Sequence, residues 1–253
     1  MHEAANHPVK ASQKTLAMIE EIDDMDGARI YELAERLNMS KGAIHNHLST
    51  LREAGYVDTD GQEYRLSLQY LSLGGSIRRR MPLFQHGQGA IDRLAQQTGL
   101  LANLMKEEAG RGVYLYQSRG HNAVNLDTHV GYRLRLHNIA IGKAILAFLP
   151  EETVNAILDE WGLPAATEHT ITDRTALLEE LAHIADRGHA TDQEERTEGL
   201  TCIGAPVLND GDLLGAISIS APTLSLGNDG FDAEMIADVK SAANSIALDI
   251  KYA

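Results

Sequence analysis

Two groups of residues in this 253-residue chain are able to do chemistry. The first is Lys41, Gly42, His45, Asn46, Ser49 and Arg52, which share one face of a helix over 41–53 whose opposite face is Ile44, Leu48 and Leu51 at i, i+4 and i+7. Asn can pair bidentately with adenine, and Lys or Arg with guanine, at about 1–3 kcal/mol of discrimination each. Gly42 keeps the helix start slim enough for the backbone to approach a phosphate, Ser40 suits the N-cap, and Arg65 is available for phosphate or the minor groove. Each residue alone reads as solvated surface; the ordered set points to double-stranded DNA.

The second group lies near the other end. Ser218 and Ser220 alternate with Ile217 and Ile219, so both hydroxyls point to one side of a strand. If that side is internal they need partners, and a ligand can supply them. Cys202, the single cysteine, reads as a small core residue. A nucleophilic role would need a base and an oxyanion site, and the nearest histidine in sequence, His189, forms no motif with it. His45 and His47 diverge by about 200° around a helix, too far to share one metal. No catalytic residue, cofactor or metal is expected.

The elements that must position these groups follow from periodicity and turn signals. A first helix begins near Ser12 with Leu16, Ile19 and Ile22 inward, and a second buries Ile30, Leu33, Ala34 and Leu37. After the third helix, short strands over 56–58 and 63–68 flank the turn signal Asp60–Gly61. Three helices and a hairpin make a winged helix-turn-helix. Residues 69–80 read as an amphipathic connector with a Gly74–Gly75 hinge and the run Arg78, Arg79, Arg80, read as a solvated face or an interdomain ion-pair partner, with contact to the DNA backbone as the alternative. A helix from Pro82 toward Thr98 follows, with Ile91, Leu94 and Ala95 inward. Strands are then expected over 101–107, 112–118, 123–127, 132–136, 202–208 and 214–220, and helices over 142–148, 151–161, 173–187 and 232–252. Lys143 is expected at the surface or between domains, and Asp192 at the opening of a loop. The fold class is α+β with an antiparallel sheet.

Charge sorts along the chain. The formal net charge is −14, but residues 1–80 hold 12 acidic and 10 basic residues, whereas 81–253 hold 24 and 12. The reading unit is therefore nearly neutral and the acidity sits in the remainder. Only 7 of the 22 basic residues are Lys, a balance typical of proteins from salt-loaded cytoplasms. One Cys excludes a disulfide framework, no apolar run reaches the roughly 20 residues of a membrane helix, and the N-terminus lacks a signal-peptide pattern, so a cytoplasmic protein is expected.

The stretches IYELAERLNMSKGAIHNHLSTLREAGYV, LHNIAIGKAILAFLP, RGHATDQEERTEGLTCIGAPV and LGAISISAP, in this order, resemble the IclR family of transcription factors, and the resemblance covers almost the whole chain. It implies a winged helix-turn-helix DNA-binding domain (1–68), a linker and dimerisation segment (69–98) and a GAF-like effector-binding domain (99–253). It implies a small-molecule effector held by residues matching Asp192, Cys202, Ser218 and Ser220 and by the backbone at Ala140 and Ile141, where a helix start offers free amides to a carboxylate. It also implies a homodimer or dimer of dimers, with an organic or sugar acid controlling carbon-source catabolism. Asn46 stands where many members carry Arg, and Ala140–Ile141 where some carry Gly-Ala, so operator sequence and pocket shape are expected to be this chain's own. Two other readings stay open, an interaction module with a vestigial winged helix and a Cys202-dependent enzyme.

Overall fold

The computed structural model describes residues 7–226 and 230–253. The chain divides into two units between Ile77 and Arg78.

The N-terminal unit has three helices, α1 (Lys10–Asp24), α2 (Ile30–Arg36) and α3 (Lys41–Glu53), and a two-stranded hairpin, β1 (Val57–Thr59) and β2 (Tyr64–Leu66). The inward stripe of α1 differs from the expected one. Met18 and Ile22 are fully buried and Ile19 is partly buried, while Leu16 is 60% exposed. The physical reason is angular: Thr15, Met18 and Ile22 lie at i, i+3 and i+7 on one stripe, and Leu16 falls about 200° from Met18. Helix α3 has its expected bounds, with Ile44, Leu48 and Leu51 buried. Its N-cap is Ser40, whose hydroxyl accepts from the Ala43 amide at 3.2 Å. The turn between β1 and β2 is closed by Asp60, whose carboxylate accepts from the amides of Gln62 and Glu63, both at 2.9 Å.

Helix α4 (Gln69–Arg79) contains the boundary between the units. It runs unbroken through Gly74 and Gly75, so the expected hinge is helical backbone here. Arg78 is partly buried; it lies over the Phe84 ring at 4.5 Å and donates to the Leu115 carbonyl at 3.2 Å. Phe84 belongs to α5 (Pro82–Thr98), which buries Ile91, Leu94 and Ala95 as expected.

The C-terminal unit is built on six antiparallel strands, β3 (Leu101–Glu108), β4 (Arg111–Arg119), β5 (Arg133–Leu134), β6 (Ala190–Gln193), β7 (Leu200–Asn209) and β8 (Asp212–Pro222), in the order β5-β4-β3-β8-β7-β6. One face packs on α5 and α9 (Ala233–Lys251), through Ile203, Ala205, Ile217 and Ile219. The other packs on α6 (Ala140–Leu146), α7 (Glu151–Trp161) and α8 (Arg174–Arg187), through Met105, Tyr114 and Ala216. The two-residue period of β8 thus sends its isoleucines one way and Ser218 and Ser220 the other.

Two expectations are corrected by the sheet. Residues 123–127 form no strand; Arg119 donates to the Val124 carbonyl at 2.8 Å and to Asn125 Oδ1 at 3.0 Å, and Val124 and Leu126 pack against Ala140, Leu200 and Cys202 as a cover. Asp192 does not open a loop but lies in β6, opposite Cys202. The four residues of β6, Ala-Thr-Asp-Gln, are too few and too polar to show an alternation.

Helix α6 packs so closely, against β7 and against the Leu136 backbone that precedes it, that two glycines are obligatory. A Cβ on Gly204 of β7 would lie 2.9 Å from backbone atoms of Ala140 and Ile141. One on Gly142 would lie 2.6 Å from Leu136 Cα and closer still to the Leu136 carbonyl oxygen. Gly→Ala inside a helix ordinarily stabilises by about 0.5–1 kcal/mol. Gly142→Ala is expected to reverse that sign and cost about 1–3 kcal/mol through forced backbone displacement. Gly74→Ala, with nothing within 4 Å of the added carbon, should keep the ordinary sign. Urea denaturation of the two variants checks the contrast.

Candidate DNA-reading face and buried cavity

Helix α3 turns Lys41, Gly42, His45, Asn46 and Arg52 to solvent, with Ser49 half-buried at the edge of that face. The Ser40 hydroxyl is engaged in capping. His47 faces inward instead, its Nδ1 2.7 Å from Thr15 Oγ1, so α1 and α3 are joined by a polar contact beside their apolar core. Arg65 stands on the exposed hairpin and donates to Glu63 at 2.8 and 3.1 Å. An exposed pair of this kind contributes about 0–1 kcal/mol, so exchanging Glu63 for a phosphate costs little.

In the C-terminal unit, Ala140, Ile141, Asp192, Cys202, Ser218 and Ser220 line one cavity, joined by Tyr114, Leu126, Ile139, Leu200 and Arg196. Its volume is about 10 Å³. That is room for one water. The floor is hydrogen-bonded: Cys202 Sγ donates to Ser220 Oγ at 3.2 Å, and Asn103 Nδ2 donates to Ser218 Oγ at 3.3 Å. Asn103 Oδ1 accepts in turn from Gln117 Nε2 at 2.9 Å.

Burial sets the electrostatics. The Asp192 carboxyl is 1% exposed and is pushed up to about 7 by burial; the Glu195 amide, donating to Asp192 Oδ1 at 2.8 Å, and the charges of Lys143 and Arg196 oppose the rise. Burial also raises the Cys202 thiol and the Tyr114 phenol, so both stay protonated at neutral pH. A protonated thiol bonded to a serine, in a cavity whose lining contains no histidine, is not an activated nucleophile.

Behind the cavity lies the feature that sequence reasoning missed. Lys143 is 1% exposed, not a surface residue, and its ammonium forms an ion pair with the Glu195 carboxylate, itself 6% exposed. Burial raises the Glu195 carboxyl, Lys143 lowers it, and Glu195 Oε2 has no hydrogen-bond partner. The loop bearing Glu195 is held from outside as well, since Thr170 Oγ1 donates to the Glu195 carbonyl at 2.5 Å and Thr167 Oγ1 to the Glu194 carbonyl at 2.7 Å. A signal for Lys143 was present: it interrupts the apolar run Ala140, Ile141, Ala144, Ile145, Leu146, which leaves its helix no polar face. Tyr114 and Arg196 carried no comparable signal.

Among the described residues no cluster of three or more His, Cys, Asp or Glu could hold a metal, and no helix is long and apolar enough to cross a membrane.

A winged helix with an exposed polar recognition helix, joined in one chain to a GAF-like sheet domain enclosing a polar cavity, defines a ligand-responsive transcriptional regulator. Residues 76–248 match the family described as bacterial transcriptional regulator IclR C-terminal, and residues 27–59 match the helix-turn-helix of bacterial regulatory proteins of the arsR family. The chain is 34% identical over 260 residues to a probable helix-turn-helix transcriptional regulator, ArcR, of Halobacterium salinarum, covering 99% of each chain. It is 32% identical over 237 residues to the helix-turn-helix transcriptional regulator BhcR of Paracoccus denitrificans, covering 92% of this chain and 85% of that one. It shares its fold with an IclR homologue from Microbacterium hydrocarbonoxydans crystallised with 4-hydroxybenzoate, at a TM-score of 0.82 and 22% identity over 95% of this chain and 99% of that chain. The chain belongs to the IclR family of transcriptional regulators.

Proposed function

We propose that this regulator binds a small organic or sugar acid in the cavity of its C-terminal unit and thereby changes its affinity for operators of carbon-source catabolism genes. The observation that carries this reading is the convergence of Ala140 and Ile141 of α6, Asp192 of β6, Cys202 of β7 and Ser218 and Ser220 of β8 on one cavity. At about 10 Å³ that cavity is smaller than any carbon acid, so ligand entry displaces the cover formed by Val124 and Leu126. Coupling then requires that the acid bind the DNA-competent and DNA-incompetent forms unequally.

DNA contact is assigned to Ser40, Lys41, Gly42, His45, Asn46, Ser49 and Arg52 of the recognition helix and its cap, and to Arg65 of the wing. Their common exposure on one face supports this, Ser49 at its margin. The division into a reader (1–68), a dimerisation segment (69–98) and a sensor (99–253) belongs to the same reading, as does a cytoplasmic location. A homodimer, or a dimer of dimers, is supported by the apolar side chains exposed on and beside α4: Leu68 at 81%, Leu71 at 72% and Ile77 at 58%. Exposed aliphatic side chains at this density suit a second copy better than water. Two-fold pairing also supplies the two recognition helices that a palindromic operator needs.

The reading is tested by fluorescence anisotropy on the promoter DNA of the gene itself. Asn46→Ala is expected to weaken operator binding about 5- to 150-fold, the loss of one base contact, without shifting the melting temperature. Unchanged affinity would remove Asn46 from the interface.

A further inference from the structure

We propose that Arg196 is the specificity-determining residue of the cavity, pairing with the carboxylate of a monoanionic effector. The proposal rests on the reading of this cavity as the effector site. The hydroxyls of Ser218 and Ser220 accept from Asn103 and Cys202. Asp192 accepts from a backbone amide. Lys143, the other cation acting on Asp192, is committed to Glu195. Arg196 alone among the charged lining residues makes no hydrogen bond and no ion pair with any described residue.

Its position fits the role. The positive charge of Arg196 acts on Tyr114 of β4, Asp192 of β6 and Cys202 of β7, three groups on three strands that surround the same space. Arg196 is partly exposed, while Asp192, Cys202, Ser218 and Ser220 are buried, so of these polar lining residues it is the one in contact with solvent. An anion entering from outside therefore meets it first.

Charge counting selects the ligand. Lys143 and Glu195 cancel. Asp192 is the one other carboxyl on the wall, and burial favours its neutral form. Arg196 is the one cation in the lining, and a single guanidinium pairs with a single carboxylate, so a second carboxylate on the ligand would find no cationic partner in the wall. A planar guanidinium matches a carboxylate with two parallel N–H···O bonds, a geometry that neither Lys nor Gln reproduces. The remaining end of the ligand then points to Ser218, Ser220 and Cys202, which suits an acid carrying a hydroxyl or keto oxygen.

Isothermal titration of the full chain with pyruvate, gluconate and 4-hydroxybenzoate, and with the amides of whichever acids bind, tests this on wild type, Arg196→Gln, Arg196→Lys and the double variant Ser218→Ala/Ser220→Ala. Wild type should bind at least one acid and prefer it over its amide by about 30-fold or more, the scale for losing one partner of a charge-assisted pair. Arg196→Gln should lose that preference and bind acid and amide alike, with Arg196→Lys in between. The floor variant should weaken acid and amide together and keep their ratio. Arg196→Gln retaining the acid preference, or wild type binding none of the three acids at millimolar concentration, overturns the assignment. If instead Arg196→Gln loses the preference while the floor variant binds as wild type does, Arg196 recognises the acid outside this cavity, and it is the location of the effector site that fails.

Discussion

Replacing Lys143 with methionine is expected to destabilise the C-terminal unit by about 3–5 kcal/mol at pH 7.5, the scale for removing one partner of a buried ion pair. Methionine nearly matches the lysine stem in length, so the lost interaction is electrostatic. The variant leaves the Glu195 carboxylate among apolar groups of α6, with Oε2 already lacking a partner. Its escape is to take up a proton, which burial favours. The deficit should therefore shrink at pH 5 and be full at pH 8. Glu195→Gln in the Lys143→Met background removes the stranded charge and should recover most of the loss. Trp161, the single tryptophan, lies on α7 of the same unit and reports its unfolding in urea. A loss below about 1 kcal/mol would mean that the pair is hydrated.

The second large effect has the opposite sign. Asp192→Asn should stabilise the same unit, and more so as pH rises. The folded-state value of Asp192 is about 7, above its ordinary 3.8, because burial disfavours the charged form. Between those two values the unfolded chain releases the proton that the folded chain keeps, so stability falls as pH rises through that window and then levels off. Asparagine never ionises and escapes the loss, while its side-chain oxygen still accepts from the Glu195 amide. The gain should be close to zero below pH 4 and reach as much as about 4 kcal/mol above pH 7.5. Urea midpoints at pH 4 and pH 8 decide it; a gain independent of pH would mean that Asp192 ionises normally. A carboxyl that costs stability in the absence of ligand is the pattern expected where function, rather than folding, sets the residue.

How much of this was visible in the sequence depends on the range of the interactions involved. Helix α3, its Ser40 cap and its Ile44, Leu48 and Leu51 stripe are encoded within one helical repeat, and periodicity located them without error. The turn at Asp60 and the long helices α5 and α9 were legible for the same reason. The face of Ser218 and Ser220 followed from strand alternation, but what that face meets did not, because Asn103 is 115 residues from Ser218 in sequence. The pairing of Lys143 with Glu195, 52 residues apart, was hidden likewise. Strand β6 and the non-strand at 123–127 were misread because local propensity was overruled: one strand exists only through its ladder to β7, and the apolar residues of the other segment serve as a cover. The polar pocket residues were anticipated by the family resemblance more than by any local pattern. Arg196 lies within a stretch that carries the resemblance, but it is not among the effector-holding residues the resemblance implies.

Without Arg78, Arg79 and Arg80, which belong to the C-terminal unit, residues 1–68 hold 12 acidic and 7 basic residues, a net charge of −5, so the reading unit has little nonspecific attraction to DNA and operator choice must rest on base contacts and DNA shape. In the proposed reading, control by a metabolite passes from a cavity walled by α6, β6, β7 and β8 to the recognition helix. The direct test is operator affinity, measured by anisotropy at fixed salt, with and without the acid that the cavity binds, for wild type and for Ser218→Ala/Ser220→Ala. The acid should shift wild-type affinity about 5- to 150-fold, the usual scale of coupling between two sites, and leave the affinity of the floor variant where it was if control passes through this cavity. An equal shift in both proteins, or no shift in wild type at saturating acid, would contradict it.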